Sequence, residues 1–219
     1  MDLLQICLAM GDAMPAPKGT AKLVGEVVPG IYRFTMHDTR IDSESDCYVI
    51  VENDRAILID PLPMEKQDLR KLGEVEAICL TASCHERAAK RYQRIFKVPV
   101  YAPVRAVGFE ETTPDRWYNP GDRLPGGLEA VHSPGPTDAH YSFYLRKNRG
   151  VVFCADLLTH EGRGLAFVSD EYQDDPKGTR KSVRRLLDLR FKVLCPNHGN
   201  PIITGAKKAI RQALVQDRA

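Results

Sequence analysis

The sequence lacks any long hydrophobic run. No stretch of the 219 residues approaches the ~20 apolar residues that a membrane-spanning helix needs. The first 14 residues, MDLLQICLAMGDAM, also lack the basic start and the longer apolar core of a secretory signal. We therefore expect a cytoplasmic protein that has no membrane partner.

Cysteine pairs are also missing. The six cysteines are scattered, and no C-x-x-C pair indicates a zinc knuckle or a redox motif. Their positions are Cys7, Cys47, Cys79, Cys84, Cys154 and Cys195. Cys79 and Cys154 lie inside apolar runs, where a cysteine behaves as a small hydrophobic residue. We expect no disulfides, and Cys84 alone is a candidate for chemistry.

The sequence also lacks an excess of charge of one sign, because it has 31 basic and 29 acidic residues. Two predicted helices carry basic residues at helical spacing, namely Arg87, Lys90, Arg91 and Arg94, and Lys177, Arg180, Lys181, Arg184 and Arg185. Such stripes are typical of solvated helix faces, and no aromatic residues interleave them to stack bases. Nucleic acid is therefore not the expected partner. We expect a small-molecule ligand, and homo-oligomerisation is left open.

The pattern of apolar residues predicts a loosely held N-terminal arm over residues 1–20 and a single domain over 21–219. Predicted strands lie at 23–28, 31–36, 47–51, 56–60, 76–81, 98–102, 128–132, 141–146, 150–156 and 191–195, and predicted helices at 64–72, 85–96, 178–189 and 205–216. The first four strands are expected to form antiparallel hairpins, after which strands and helices alternate. The two halves are similar in outline, which predicts an α/β sandwich of two sheets with helices outside.

Polar side chains follow several predicted strands at the point where each strand ends. They are Asp60, the segment Thr81–Arg87, Asp156 and His198, and a further loop, VHSPGPTDAH, covers 131–140. Because loops that leave buried strands are free to carry function, we expect these groups to converge on one edge. Carboxylates, imidazoles and thiolates gathered in this way build metal or acid–base sites.

Five segments in order give the chain a resemblance to the metallo-β-lactamase-fold superfamily, closest to its glyoxalase II-like hydrolases. The segments are AILIDPLP, ICLTASCHERAA, HSPGPTDAHYSFYL, VVFCADLL and CPNHGNPI. The resemblance implies a four-layer αββα sandwich. It also implies two metal ions, typically zinc, held at the strand ends by the motifs T-H-x-H-x-D-H, P-G-H, G-D and H-G.

Most of the ligands that the resemblance implies are replaced in this chain. The positions of the family's histidines and first aspartate hold Ala82, Cys84, Glu86, Arg87 and Pro136, whereas Asp156 and His198 are unchanged and Thr81 also matches. His132 and His140 fall at positions that are not metal ligands in the family. We therefore expect neither a dinuclear β-lactamase nor a standard glyoxalase II.

The remaining side chains allow two kinds of site. Cys84, Glu86, Asp156 and His198 could hold at most one divalent ion, either zinc, iron or manganese, and a carboxylate-rich set of Glu86, Asp156 and His198 would favour iron, manganese or magnesium over zinc. Alternatively, no ion binds and Arg87, paired with Asp156 or Glu86, supplies the positive charge.

The run T-A-S-C-H-E-R also resembles a branch of the superfamily with T-N-x-x-H-x-R in place of the full motif. This similarity implies that His85 and Arg87 are working parts of a rebuilt site. Three functions follow as alternatives. The first is a hydrolase of a small ester or thioester that uses His85, Asp156 and His198. The second is a catalytically inactive protein that binds an anionic ligand through Arg87, and the third is a nucleic-acid-binding protein that uses the basic helix faces.

Overall fold

Two β-sheets form the centre of the protein in the computed structural model, which describes residues 16–162 and 164–217. The first sheet has seven strands in the order β1-β2-β3-β4-β5-β6-β7. Their bounds are β1 Lys22–Val28, β2 Ile31–Asp38, β3 Ser43–Glu52, β4 Arg55–Ile59, β5 Glu74–Cys79, β6 Val100–Pro103 and β7 Arg116–Tyr118. Strands β1 to β4 are antiparallel, as the sequence predicts, and β4 to β7 run parallel.

The second sheet has five strands in the order β14-β11-β10-β9-β8, and β12 and β13 form a separate two-stranded ribbon. Their bounds are β8 Arg123–Leu124, β9 Leu128–His132, β10 Tyr141–Leu145, β11 Val151–Ala155, β12 Leu158–Glu161, β13 Gly164–Phe167 and β14 Val193–Pro196. Strand β11 is parallel to β14 and antiparallel to β10. Thus each sheet contains a parallel pair whose carboxyl ends can carry a site.

Within the described residues, four helices cover the outer faces of the two sheets. They are α1 Lys66–Lys71, α2 Ala89–Phe96, α3 Pro176–Leu186 and α4 Ala206–Gln216. Leu69 of α1 and Tyr92 of α2 pack with the outer face of the first sheet, whereas Val183 of α3 and Ile210 of α4 pack with that of the second. A third apolar cluster, including Tyr48 and Phe153, lies between the sheets. The result is the expected αββα layering.

The structure corrects some predicted elements. The helix expected over 85–96 begins only at Ala89, after a single 3₁₀ turn at Ser83–His85. Most of the predicted N-terminal arm, including Cys7, lies outside the described residues. Cys79 and Cys154 are buried, as predicted. No helix in the described ranges is long and apolar enough to span a membrane.

Candidate functional site

The carboxyl ends of β4, β5, β11 and β14 bring polar side chains from both sheets together. Asp60 directly follows β4, and Asp156 directly follows β11. Both ends turn sharply, because Asp60 and Ala155 each adopt a positive φ of 47°. Positive φ is uncommon for non-glycine residues and is enriched at functional sites. The expected convergence of strand-end loops is therefore present.

His85 lies at the centre of this edge and is only 3% exposed. Its Nδ1 lies 2.7 Å from Thr81 Oγ1 and 3.2 Å from Asp60 Oδ2. Its Nε2 lies 2.8 Å from Asp156 Oδ2. Burial alone would lower the pKa of His85, but the carboxylates of Asp156 and Asp60 outweigh it and raise the pKa to about 9. Without an ion, His85 is thus an imidazolium that joins the two sheets.

Asp60 anchors the inner side of His85. Its Oδ1 accepts the Thr81 main-chain N–H at 2.8 Å, and its Oδ2 accepts the Thr81 hydroxyl at 2.6 Å and the Asn197 side-chain amide at 2.9 Å. Burial would raise the pKa of Asp60, but His85 and Arg87 lower it below its usual value. Because the Thr81 hydroxyl donates to Asp60, its oxygen accepts the proton on His85 Nδ1.

Asp156 faces His85 with one oxygen and His198 with the other. Asp156 Oδ1 is buried and has no hydrogen-bond partner among the described residues, although His198 Nε2 lies 3.4 Å away at ion-pair distance. Burial would raise the pKa of Asp156, but His85 and His198 hold it well below its usual range. His198 Nδ1 donates to the Glu44 carbonyl at 2.8 Å, which leaves Nε2 directed toward Asp156. A buried carboxylate oxygen without a partner is a candidate ligand for a cation.

A buried ion pair fixes the loop that carries His198. Arg33 binds both oxygens of Asp46, at 2.7 and 3.1 Å, and donates to Asn200 Oδ1 at 2.6 Å. Asp46 Oδ2 also accepts the Gly199 main-chain N–H at 2.8 Å. Arg33 on β2 and Asp46 on β3 of the first sheet thereby hold the loop that follows β14 of the second sheet. Sequence reasoning missed this pair because its members lie in mid-strand, away from any motif.

The side chains of Glu86 and Arg87 hydrogen-bond to main-chain groups instead of to Asp156. The Glu86 carboxylate accepts main-chain N–H groups of Glu110 at 2.9 Å and Thr112 at 3.0 Å. Arg87 Nη1 donates to the carbonyl oxygens of Asp46 at 2.8 Å and Asp60 at 3.2 Å. The ion pair expected between Arg87 and Asp156 or Glu86 is therefore replaced by main-chain contacts. His85 supplies the positive charge beside Asp156 instead.

Two further histidines have positions that sequence reasoning left open. His140 is buried, its Nδ1 donates to the Ser133 carbonyl at 2.9 Å, and its Nε2 accepts the Asp156 main-chain N–H at 3.3 Å. Burial lowers the pKa of His140 to about 4. His132 Nε2 donates to the Asp138 carbonyl at 2.8 Å, within its own loop. His140 thus supports the Asp156 main chain. The His132 ring also packs against Tyr141 of the neighbouring strand, with ring centroids 5.0 Å apart, so its contacts are of a structural kind.

Cys84 completes the group of side chains that could hold an ion. It is partly buried, and a ligand atom from each of Cys84, His85 and Asp156 lies within 4.8 Å of the other two. Thiolate, imidazole and carboxylate are all metal ligands.

The comparisons with known proteins agree with this geometry. A family model described as the metallo-beta-lactamase superfamily matches residues 26–197. The chain belongs to the metallo-β-lactamase superfamily. This match spans β1 to the loop after β14 and therefore covers every side chain of the site except His198. A search of curated proteins finds no match to this chain.

Solved structures of this superfamily share the fold at low sequence identity. A metallo-β-lactamase from Pontibacter korlensis is 18% identical, with a TM-score of 0.72 over 90% of this chain and 100% of its own. A metallo-β-lactamase family protein from Thermus thermophilus is 17% identical, with a TM-score of 0.68 over 88% of this chain and 80% of its own. An archaeal metallo-β-lactamase superfamily protein from Sulfolobus tokodaii is 15% identical, with a TM-score of 0.68 over 87% of this chain and 86% of its own. At these identities the likeness supports the fold alone.

Proposed function

We propose that this chain is a hydrolase of a small ester or thioester whose site is rebuilt to hold one divalent ion instead of two. The observation that carries the proposal is the arrangement around Asp156, whose two oxygens face His85 and His198 at the edge where both sheets end. Membership of a superfamily of metal-dependent hydrolases supports the reaction class. The chemistry of the side chains present supports the single ion.

A two-ion centre does not fit these residues. Ala82 and Pro136 have no side-chain atom that can bind a metal, and the Arg87 guanidinium is a donor with no acceptor atom to offer a cation. Of the two other substitutes, Glu86 directs its carboxylate to main-chain N–H groups, which leaves Cys84. Too few donors are left for two ions.

One ion does fit, because Cys84, His85 and Asp156 bring three ligand atoms together and Asp156 Oδ1 lacks a hydrogen bond among the described residues. An ion bound there would supply Lewis-acid polarisation of a carbonyl and a water with a lowered pKa. The side chains of the edge have separate tasks. Asp156 carries the negative charge that attracts the ion, and the Thr81 hydroxyl sets the orientation of His85.

His198 is the best candidate for proton transfer. Its Nδ1 proton is held by the Glu44 carbonyl, so the ring is fixed and Nε2 is the atom that can take or give a proton. Burial would lower the pKa of His198, but Asp156 raises it above its ordinary value. Nε2 is therefore the ring atom that can deliver a proton to a leaving group.

The structure offers less support for the alternatives. An anion held by Arg87 would need an accessible guanidinium, but Arg87 is buried and donates to main-chain carbonyls. On the α3 face, Arg180 is paired with Asp170 and Asp217. Neither Arg87 nor Arg180 is therefore available to an anionic partner.

The proposal is tested with aryl esters and short acyl thioesters as substrates. We expect His198→Ala and Asp156→Asn each to lower kcat/KM by about 100-fold or more, because the first removes the imidazole and the second removes the negative charge beside the reacting atoms. His37→Gln is the matched control, since the His37 side chain is half exposed and interacts with Asp42 and Glu44 at the surface. Undiminished hydrolysis in both site variants, with the control also active, would contradict the proposal.

A further inference from the structure

We infer that the ion of the proposed function is bound by Cys84, His85 and Asp156, in a three-ligand site of the zinc type that excludes Glu86 and His198. The inference rests on the proposed single-ion site and specifies its ligands and its metal class. It differs from the set of Cys84, Glu86, Asp156 and His198 that the sequence offers as ligands for an ion, since it includes His85 and leaves out Glu86 and His198. The decisive difference is the placement of two neighbouring side chains, His85 and Glu86.

In the structure, the Glu86 carboxylate is not available to bind the ion. Its carboxylate uses Oε1 for Glu110 N–H and Oε2 for Thr112 N–H, so both oxygens already have partners on the 110–112 loop. Glu86 is also only 8% exposed, which leaves it little room to turn. A ligand role would break these contacts and leave the N–H groups of Glu110 and Thr112 without their acceptor.

His85 is the candidate ligand in place of Glu86. The turn Ser83–His85 directs the imidazole inward, and its Nε2 faces Asp156 while Nδ1 contacts the Thr81 hydroxyl and Asp60. Histidines that bind metals usually donate their other ring N–H to a carboxylate or another acceptor, which fixes the ring. Thr81 and Asp60 provide this support for His85.

The donor atoms determine the class of metal. A thiolate and an imidazole are softer ligands than carboxylate oxygens, and they favour zinc or cobalt over magnesium, manganese or calcium. Three protein ligands are also the number found in catalytic zinc sites, where the fourth position holds water or substrate. The S, N and O donors of Cys84, His85 and Asp156 match this pattern.

His198 lies outside the three-ligand cluster. The cluster joins atoms of Cys84, His85 and Asp156 that are mutually within 4.8 Å, whereas the near contact of His198 Nε2 is with Asp156 Oδ1, 3.4 Å away. This places His198 next to one ligand and leaves it available for the proton transfer proposed above. It is therefore expected to be dispensable for binding the ion.

Cobalt titration of the full-length chain, stripped with a chelator, tests the inference. We expect about one Co²⁺ per chain and a near-ultraviolet charge-transfer band, because thiolate ligation produces that band. Cys84→Ser should lose the band, and His85→Gln and Asp156→Asn should each weaken Co²⁺ binding at least 10-fold. Glu86→Gln and His198→Ala should keep both the band and the stoichiometry. Circular dichroism and thermal melting of each variant show that it is folded.

Two results would overturn the inference. One is a band that persists in Cys84→Ser, and the other is loss of Co²⁺ from folded Glu86→Gln while His85→Gln still binds it. The readout is independent of turnover. A chain that binds cobalt as expected but hydrolyses none of the tested substrates would contradict only the proposed reaction, whereas hydrolysis by metal-free protein would contradict the ion site.

Discussion

Thr81 shows how much a single side chain contributes to the site. It is fully buried and lies between Asp60 and His85, with its hydroxyl donating to one and accepting from the other. The resemblance of the T-A-S-C-H-E-R run to the family motif indicates that this threonine matters, but not why. The structure supplies the reason, which is that one hydroxyl orients both a carboxylate and an imidazole.

We predict that Thr81→Val destabilises the protein by about 1–3 kcal/mol, because the buried Asp60 carboxylate and the buried His85 imidazole each lose one hydrogen bond while the shape of the side chain is kept. The same change should weaken Co²⁺ binding about 10-fold or more by releasing the His85 ring. Thr81→Ser keeps the hydroxyl and should restore cobalt affinity. Urea unfolding and cobalt titration measure both effects, and equal affinities for the Val and Ser variants would contradict this role.

Much of the element arrangement is predictable from the sequence, because alternating or apolar runs such as 128–132 form strands with the predicted bounds. The missed strands are short and weakly patterned: β7, β8, β12 and β13 have two to four residues each. They are defined by their neighbours in space, which a local pattern does not contain.

The late start of α2 has a physical cause at the site. Residues 85–87 contact three different parts of the protein. The His85 imidazole contacts Asp156, the Glu86 carboxylate contacts the 110–112 loop, and the Arg87 guanidinium contacts the first sheet. Arg87 adopts a positive φ of 37°, which a continuous right-handed helix does not permit. Helical periodicity over 85–96 could not reveal these three separate contacts, since their partners are distant in the sequence.

The loop after β14 depends on an ion pair in the first sheet. We predict that Arg33→Met lowers the free energy of unfolding by about 3–5 kcal/mol, because it leaves the buried Asp46 carboxylate unpaired. Amide exchange at residues 197–200 should accelerate, since Asn200 loses the Arg33 contact and the Asp46–Gly199 hydrogen bond loses its support.

Arg55→Met is the matched control for Arg33→Met. Arg55 pairs with Glu76 at the surface, where both side chains are largely exposed, so its loss should cost less than about 1 kcal/mol. Hydrogen-exchange mass spectrometry compares the two variants. Equal exchange at 197–200 in both would show that the Arg33–Asp46 pair does not hold this loop.

The molecule as a whole divides the site between its two sheets. Asp60 and His85 come from the first sheet, whereas Asp156 and His198 come from the second. Packing between the sheets therefore sets the distances within the site. The motifs of the sequence predict that these loops share an edge, but the individual pairings depend on packing across the core.

Tyr48 connects the sheets near the site. Its hydroxyl donates to the Pro196 carbonyl at 2.7 Å, and its ring lies 5.3 Å from that of Phe153, centroid to centroid. We predict that Tyr48→Phe lowers the free energy of unfolding by about 1–2 kcal/mol, because the buried carbonyl loses its partner. Urea denaturation measures the loss. A variant as stable as the wild type would show that this contact contributes nothing.

Elemental analysis of untagged protein tests the central claim of a rebuilt single-ion site most directly. Wild-type protein, purified without added metal and then supplied with zinc, is compared with the Cys84→Ser/His85→Gln double variant by inductively coupled plasma mass spectrometry. The account predicts about one zinc ion per wild-type chain and a large loss of zinc in the folded double variant. Two ions per chain, or one ion retained by the double variant, would contradict it.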